Sequence, residues 1–204
     1  MTGRPRGFDF PWTVVVCAVA VVTTMIAFAS PAVRDVIVAD ARISDGEVWR
    51  ALIGPFAHAT WGHLLRDVAL IAVVGVGYEA PLARIRTPLF IAGIMGPAVA
   101  VLAVGQVSWY CGLSGLSHAV LAAAVSYEVA NRRGIARALA VAIALGLAIK
   151  VVFELATGMP AFPMPLGDGI RQAPVAHGAG VIIGVLGGLA AVMRNRGQLR
   201  ATGW

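Results

Sequence analysis

A serine and two histidines are the residues of this sequence best suited to catalysis. Ser114, His63 and His177 each lie near one end of a different apolar stretch. A serine hydroxyl and a neutral imidazole within hydrogen-bonding distance act as a nucleophile and its general base. Taken singly, Ser114 could be a small residue at a helix contact, and His177 could be a packing or proton-relay histidine. Their positions must therefore be considered together.

The distance of each residue from the next arginine group gives its depth. Ser114 lies eighteen residues before Arg132, and His177 lies seventeen residues before Arg194. At about 1.5 Å per helical residue, both lie roughly 25–27 Å along the helix from these arginines. His63 lies at a similar or slightly greater distance. We therefore expect the three side chains to meet near one end of a helical bundle.

Few other ionisable side chains lie inside the apolar stretches. Asp67 and His118 follow His63 and Ser114 by four residues each. Lys150 and Glu154 form an i, i+4 pair of opposite charge, for which mutual neutralisation is expected. Glu154 also lies near the depth of the serine, which leaves open a role in recognising a basic or glycine-rich substrate segment.

The last apolar stretch carries glycines on the same face as its histidine. Gly180, Gly184 and Gly188 follow His177 at i+3, i+7 and i+11. Glycines on one face allow close backbone approach to a neighbouring helix. Such an approach would bring the histidine close to a serine on that neighbour.

The composition identifies the class of protein that positions these residues. Of the 204 residues, 59% are hydrophobic and 13% are charged, with a mean hydropathy of +0.83. Soluble domains contain about 45–50% apolar and 25% charged residues. A disordered chain, a secreted disulfide module and an ordinary soluble enzyme are therefore excluded. Cys17 and Cys111 form no framework for disulfide bonds or metal ligands.

Six stretches are long enough to cross a bilayer, which takes about 20 apolar residues per helix. They cover residues 12–30, 62–80, 88–107, 113–130, 136–156 and 174–193. The sequence predicts an all-α fold, a single membrane domain over residues 1–204 with a bundle of six transmembrane helices. Residues 31–57 are expected to lie partly at the membrane interface, and residues 157–173 form an irregular loop.

The arginines indicate the orientation. If the chain crosses six times, most of them flank one side: Arg4, Arg6, Arg84, Arg86, Arg132, Arg133, Arg137, Arg194, Arg196 and Arg200. The positive-inside rule then places residues 1–11 and 194–204 in the cytoplasm. On that side we expect Glu79 to pair with Arg84 and Glu128 with Arg132. No basic stripe with interleaved aromatic residues is present, so a nucleic-acid partner is not expected.

The first stretch also allows a second interpretation. Arg4 and Arg6, followed by an apolar run that ends at Ala27-Phe28-Ala29, could form a cleavable signal peptide. The run covers about 19 residues, longer than the usual 7–15-residue core of such peptides. We therefore expect an uncleaved first helix.

Five motifs, in order along the chain, resemble the rhomboid family of intramembrane serine proteases. They are Gly46-Glu47-Val48-Trp49-Arg50; Phe56-Ala57-His58 with His63-Leu64 and Asp67; Gly77-Tyr78-Glu79; Gly112-Leu113-Ser114-Gly115; and Ala176-His177 with Gly180 and Gly184. The likeness covers most of the chain. It implies a rhomboid-like bundle in the bacterial inner (plasma) membrane, with its active site toward the outer face and no cofactor or metal.

Within that family the sequence is most similar to the rhombosortase branch. The segment from Trp109 to His118, and Lys150 and Glu154 followed by Gly158, carry this likeness. It implies a membrane-anchored protein substrate with a C-terminal transmembrane segment, cleaved near a glycine-rich sorting tail.

The resemblance also implies roles for individual residues. Ser114 is the nucleophile and His177 the base of a dyad, since no acidic third member matches the family pattern. The backbone N–H groups of Ser114 and Leu113, with the His63 side chain, would stabilise the oxyanion. His118 stands where the family often has an aromatic residue that stacks on the base. Asp67 departs from the usual asparagine, since an ionised carboxylate would repel an oxyanion and a protonated one could donate to it.

Two other functions remain open. A catalytically silent rhomboid-like protein could bind membrane segments, and the change to Asp67 leaves this possible. A metal or proton transporter could use His58, His63, His118 and His177. The inner halves of the stretches carry few acidic relay groups, and the sequence has no HExxH motif. These observations favour a protease.

Overall fold

The computed structural model describes residues 11–105, 107–167 and 170–201, with side chains up to residue 197. Arg4, Arg6 and the side chain of Arg200, which are among the arginines that indicate the orientation, lie outside the described residues. The described residues form eight α-helices, one pair of short strands and two short 3-10 helices, Ala41–Ile43 and Gly54–Phe56. The helices are α1 (Trp12–Ala29), α2 (Pro31–Ile37), α3 (Trp49–Ile53), α4 (Trp61–Tyr78), α5 (Arg86–Val104), α6 (Ser114–Asn131), α7 (Gly134–Thr157) and α8 (Pro174–Ala201).

The six long helices lie close to the six apolar stretches of the sequence. By length and composition, five of them could cross a membrane: α1, α4, α5, α7 and residues Pro174–Gly197 of α8. These long apolar helices indicate an integral membrane protein. Helix α8 continues beyond the predicted end at residue 193, and its last turns carry Arg194 and Arg196.

Helix α6 is as long as α1 and α4 but is not apolar enough to count as a span by composition. Ten of its eighteen residues are buried, whereas four of the twenty-four residues of α7 are buried. A helix surrounded by protein needs small side chains for packing, and a helix facing lipid needs large apolar ones. Helix α6 is therefore the central helix of the bundle.

The glycine face of α8 lies directly against α6. A Cβ atom at Gly180 would collide with the carbonyl oxygen of Gly115, and one at Gly184 with that of Ala119. A Cβ atom at Gly188 would lie 2.6 Å from the carbonyl oxygen of Ala123. The backbones of these two helices are thus as close as the glycine spacing predicts, with no room for a side chain on this face.

The segment between α1 and α4 is more ordered than the sequence indicated. Strand β1 (Ala39–Asp40) pairs antiparallel with β2 (Trp109–Tyr110), which directly precedes the loop leading into α6. Arg50, only 2% exposed, donates hydrogen bonds to the carbonyl oxygens of Asp35 and Val38 and to the carboxylate of Glu47. This buried guanidinium ties together the segment against which β2 pairs.

The two ion pairs predicted near the arginine groups have different outcomes. Arg132 donates to Glu128 across one turn of α6, at 2.6 Å, as expected. Glu79 lies 3.8 Å from Arg86, so the expected pairing with Arg84 is wrong. The turn between α4 and α5 places Arg86 at the start of α5, with its guanidinium near the Glu79 carboxylate. The backbone carbonyl of Arg84 instead accepts a hydrogen bond from Arg194.

Candidate active site

Ser114 is the first residue of α6 and is partly accessible to solvent. The preceding loop turns at Gly112, which has φ of +99°, a conformation that favours glycine. A side chain at Gly112 would also meet the His63 ring, whose Nε2 would lie 2.6 Å from the new Cβ atom. The start of a helix leaves backbone N–H groups without intrahelical partners. The serine hydroxyl is therefore presented beside free donors.

A cavity of about 900 Å³ opens in front of Ser114. Residues from α4, α6, α7, α8 and the loop before α8 line it, including almost every polar residue identified in the sequence. The polar and ionisable lining residues include His63, Arg66, Asp67, Tyr110, Cys111, Ser114, His118, Lys150, Glu154 and His177. The structure thus brings together side chains that are more than a hundred residues apart in the chain.

His177 stacks on His118 inside this cavity. The ring centroids are 4.2 Å apart, and the planes are inclined by 13°. The Nδ1 atom of His118 lies 2.6 Å from the backbone carbonyl oxygen of Ser114, one helical turn earlier. Both rings are largely buried. The His118 ring thus stacks as the resemblance implied, and it links the first turn of α6, at Ser114, to His177 on α8.

An acidic side chain also contacts His177. The Oε2 atom of Glu154 lies 2.7 Å from His177 Nδ1 and 2.7 Å from Lys150 Nζ. The resemblance implied a dyad, and the structure places this carboxylate next to His177 as well. The predicted pairing of Lys150 with Glu154 is present, but it does not exhaust the contacts of the carboxylate. The i, i+4 spacing in the sequence predicted the contact of Glu154 with Lys150 on the same helix. It could not predict the contact with His177 on α8.

A second cluster lies on the α4 side of the serine. The Oδ2 atom of Asp67 lies 3.3 Å from His58 Nε2 and 3.4 Å from His63 Nε2. All three residues are at most 7% exposed. The Oγ1 atom of Thr24 on α1 lies 3.0 Å from His58 Nδ1 and holds the His58 ring in place. Asp67 thus contacts two imidazoles, and both Asp67 and His63 lie next to Gly112.

Tyr110 is a site residue that the sequence analysis missed. Its hydroxyl interacts with the Ser114 side chain and the backbone N–H of Gly115. Burial has the largest effect on the pKa of this hydroxyl and raises it. Among the described residues, no direct hydrogen bond joins Ser114 to His177, and both face the same cavity. Catalytic hydrogen bonds are often long before substrate binds. A tyrosine four residues before the serine gave no motif from which this contact could be predicted.

Cys111 is a second potential nucleophile in the cavity lining. Burial raises the pKa of its thiol to about 12. A nucleophilic cysteine reacts as its thiolate, which this environment disfavours at neutral pH. Ser114 is thus the better placed nucleophile of the two.

The comparisons with known proteins support one family. The family model of the Rhomboid domain matches residues 45–194, which include all the cavity residues named above. In the comparison with curated proteins, none matches this chain. The matched region covers well over half of the chain and spans from the Arg50 segment to the end of the membrane part of α8. This chain belongs to the rhomboid family.

Proposed function

We propose that this protein is an intramembrane serine endopeptidase in which Ser114 is the nucleophile and His177 the general base. Rhomboid proteins act on membrane proteins within the bilayer, and they are typically serine proteases, although inactive members exist. The chain retains both a serine and a histidine in the motifs that carry the family resemblance. These two residues therefore decide between an active and an inactive member.

The observation that carries this proposal is the arrangement of the serine and the base around one cavity. Ser114 begins a buried helix, and His177 is held from two sides by the His118 ring and the Glu154 carboxylate. A histidine that only packed between helices would need neither partner. Contact of Nδ1 with the carboxylate leaves Nε2 as the ring nitrogen available to the serine.

In the proposed reaction, the Ser114 Oγ atom attacks the substrate carbonyl carbon as its proton moves to His177 Nε2. The carbonyl electron pair moves onto oxygen and forms a tetrahedral oxyanion. When this collapses, the C–N bond breaks, and the protonated His177 gives its proton to the leaving amine. Water then hydrolyses the ester on Ser114 by the same two proton transfers. Before the first step, the Ser114 hydroxyl must break its contact with the Tyr110 hydroxyl.

The groups proposed to stabilise the oxyanion lie next to the serine. The backbone N–H groups of Leu113 and Ser114 are at the beginning of α6, where the helix dipole is positive. The His63 ring packs against Gly112 on the other side of the loop. Removing one such donor typically costs about 2.7–4 kcal/mol of transition-state stabilisation.

We further propose a rhombosortase-like substrate, a membrane-anchored protein cleaved near a glycine-rich tail before its C-terminal transmembrane segment. Support comes from the likeness of the Trp109–His118 segment and from the cavity of about 900 Å³ that α7 helps to line. In this proposal α6 also crosses the membrane, as the fourth of six transmembrane helices. Both termini are cytoplasmic, and the cavity opens to the outer face of a bacterial inner membrane. The asymmetric placement of the arginines supports this orientation.

Fluorophosphonate labelling in native membranes tests the nucleophile. We expect the wild type to be labelled, and the Ser114→Ala and His177→Ala variants to lose the label. Cys111→Ala is the matched control, because it removes the other nucleophile from the same cavity, and its labelling should equal that of the wild type. Label that persists in Ser114→Ala would overturn the assignment. Cleavage of an anchored reporter with a glycine-rich tail then tests the substrate class.

Asp67 supports one second candidate, a silent rhomboid-like protein that binds transmembrane segments. The carboxylate lies where a donor to the oxyanion is usual in the family, and its Oδ2 atom is 3.5 Å from the position of a Cβ atom on Gly112. A folded wild-type protein that takes no label would favour this candidate. Labelling in the wild type would exclude it.

A further inference from the structure

The carboxylate of Glu154 is buried and receives several donors at once. It is 1% exposed, although it belongs to a helix that faces mostly outward. Oε2 lies 2.7 Å from both His177 Nδ1 and Lys150 Nζ, and Oε1 accepts a hydrogen bond from the backbone N–H of Ala161 at 3.1 Å. Pairing with Lys150 alone would use one of these contacts. The remaining two direct the carboxylate to the base and to the loop after α7.

The contact with Nδ1 determines which nitrogen of His177 is free. A neutral imidazole carries one proton, and a carboxylate beside Nδ1 favours the tautomer with that proton on Nδ1. The lone pair is then on Nε2, as a general base for Ser114 requires. The opposite tautomer would place a proton on Nε2 and leave the ring unable to accept the serine proton.

Lys150 offers His177 the competing arrangement. Its Nζ atom lies 3.2 Å from His177 Nδ1, and an ammonium group can only donate. If Lys150 donated to Nδ1, the ring proton would be on Nε2. The shorter contact is with Glu154, and a charge-assisted hydrogen bond to a carboxylate is the stronger of the two. Lys150 then compensates the charge of Glu154 and does not hold the ring.

We propose that Glu154 is a positioning residue that fixes the tautomer and orientation of His177, so that the base works in a Ser114–His177–Glu154 triad and not as a dyad. The inference rests on the proposed function, because it assigns a role in the same proton transfer. It adds a third member on α7, whose position the loop at Ala161 also holds. Glu154 touches the base and not the reacting atoms.

The first test measures the rate of fluorophosphonate labelling at saturation and the half-saturating concentration for Glu154→Gln. We expect the rate to fall by about 10²- to 10⁴-fold, as when an equivalent carboxylate is removed from a serine triad. The half-saturating concentration should change by less than about twofold, since reagent binding does not use the carboxylate. Glu154→Asp, which retains the charge, should recover part of the rate. Glu128→Gln, on α6 and paired with Arg132, is the matched control and should label like the wild type.

The second test reads the tautomer directly and needs no activity. The chain has four histidines, so the ¹⁵N-histidine spectrum of the full-length protein in bilayers can be assigned by the signals lost in His177→Gln. In the neutral ring, we expect the His177 proton on Nδ1. We expect this preference to be lost in Glu154→Gln.

A bare Nδ1 in the wild-type protein would overturn the inference, because Lys150 would then be the partner. A Glu154→Gln variant that labels as fast as Glu128→Gln would overturn it equally. If Glu154→Gln does not fold, the wild-type spectrum and Glu154→Asp still decide. Failure of the proposed function gives a different result, which is label retained in Ser114→Ala or absent from the wild type.

Discussion

Two buried carboxylates flank Ser114, and their surroundings differ. Glu154 receives a lysine, a histidine and a backbone N–H at 2.7–3.1 Å. Asp67 has two imidazole nitrogens at 3.3 and 3.4 Å, and among the described residues its Oδ2 atom forms no hydrogen bond of good geometry. The base side of the cavity, which holds Glu154 and the proposed base His177, thus has its hydrogen bonds in place before substrate binds. The α4 side, which holds Asp67, His58 and His63, has unused hydrogen-bonding capacity.

The unused capacity on the α4 side extends to the neighbouring rings. Nε2 of His58 and Nδ1 of His63 are also buried without a hydrogen-bond partner among the described residues. Buried unpaired polar atoms are few in native proteins, and each calls for an explanation. Of the two rings, only that of His63 lines the cavity, where it can donate a hydrogen bond to a substrate carbonyl oxygen. The base must be oriented before the reaction begins. The oxyanion forms only during the reaction and is itself the acceptor for the donors around it.

The largest expected effect comes from separating the base side from the serine. In Gly180→Ala the new Cβ would collide with the backbone carbonyl of Gly115, which cannot move without shifting α6. Overpacking of this kind costs about 1–3 kcal/mol of stability. We expect labelling to fall by more than about 10²-fold, since even a 1 Å displacement of reacting groups can cost that much. Thermal unfolding and labelling rates measure the two effects.

The control for Gly180→Ala is Gly146→Ala on α7. Apart from the helix itself, no heavy atom of the described residues lies within 4 Å of the place that the new Cβ atom would take. This change should leave labelling unaltered and stabilise the helix by up to about 1 kcal/mol. Wild-type labelling in Gly180→Ala would show that close approach of α8 to α6 is not needed to form the site.

The next effect in size tests the α4 side. His63→Ala removes a proposed oxyanion donor, so we expect the labelling rate to fall by about 10²- to 10³-fold. His63→Gln retains a side-chain N–H donor and should lose less. Rates at saturating reagent separate this effect from binding. Equal losses in the two variants would contradict a donor role and indicate that the ring supports the Gly112 loop by packing.

A smaller effect of the opposite sign is expected for Asp67→Asn. An amide can donate to an oxyanion and carries no charge, so the transition state should gain about 1.4 kcal/mol, or tenfold in rate. Asp35→Asn, whose side chain is 74% exposed and distant from the cavity lining, is the control. A tenfold loss in Asp67→Asn would show instead that the carboxylate holds His63 in place.

The difference between the two sides also explains what the sequence could predict. The helices followed from apolar stretches near 20 residues, and the approach of α8 to α6 followed from Gly180 and Gly184. The contact of Glu154 with His177 did not follow, because α7 is apolar on nearly all faces and its sequence does not determine its rotation about its axis. Nor did the pairing of β1 with β2, because two residues are too few to form a pattern.

The smallest expected effect concerns the stacked ring on the base side. An aromatic pair contributes about 0.5–1.5 kcal/mol beyond burial, so His118→Ala should slow labelling by up to about tenfold. His118→Phe keeps a ring against His177 but removes Nδ1, which lies 2.6 Å from the Ser114 carbonyl. We expect this variant to stay within about threefold of the wild type. If it is as slow as His118→Ala, the link from Nδ1 to the nucleophile's own turn matters more than stacking, and the base side would then hold Ser114 as well as His177.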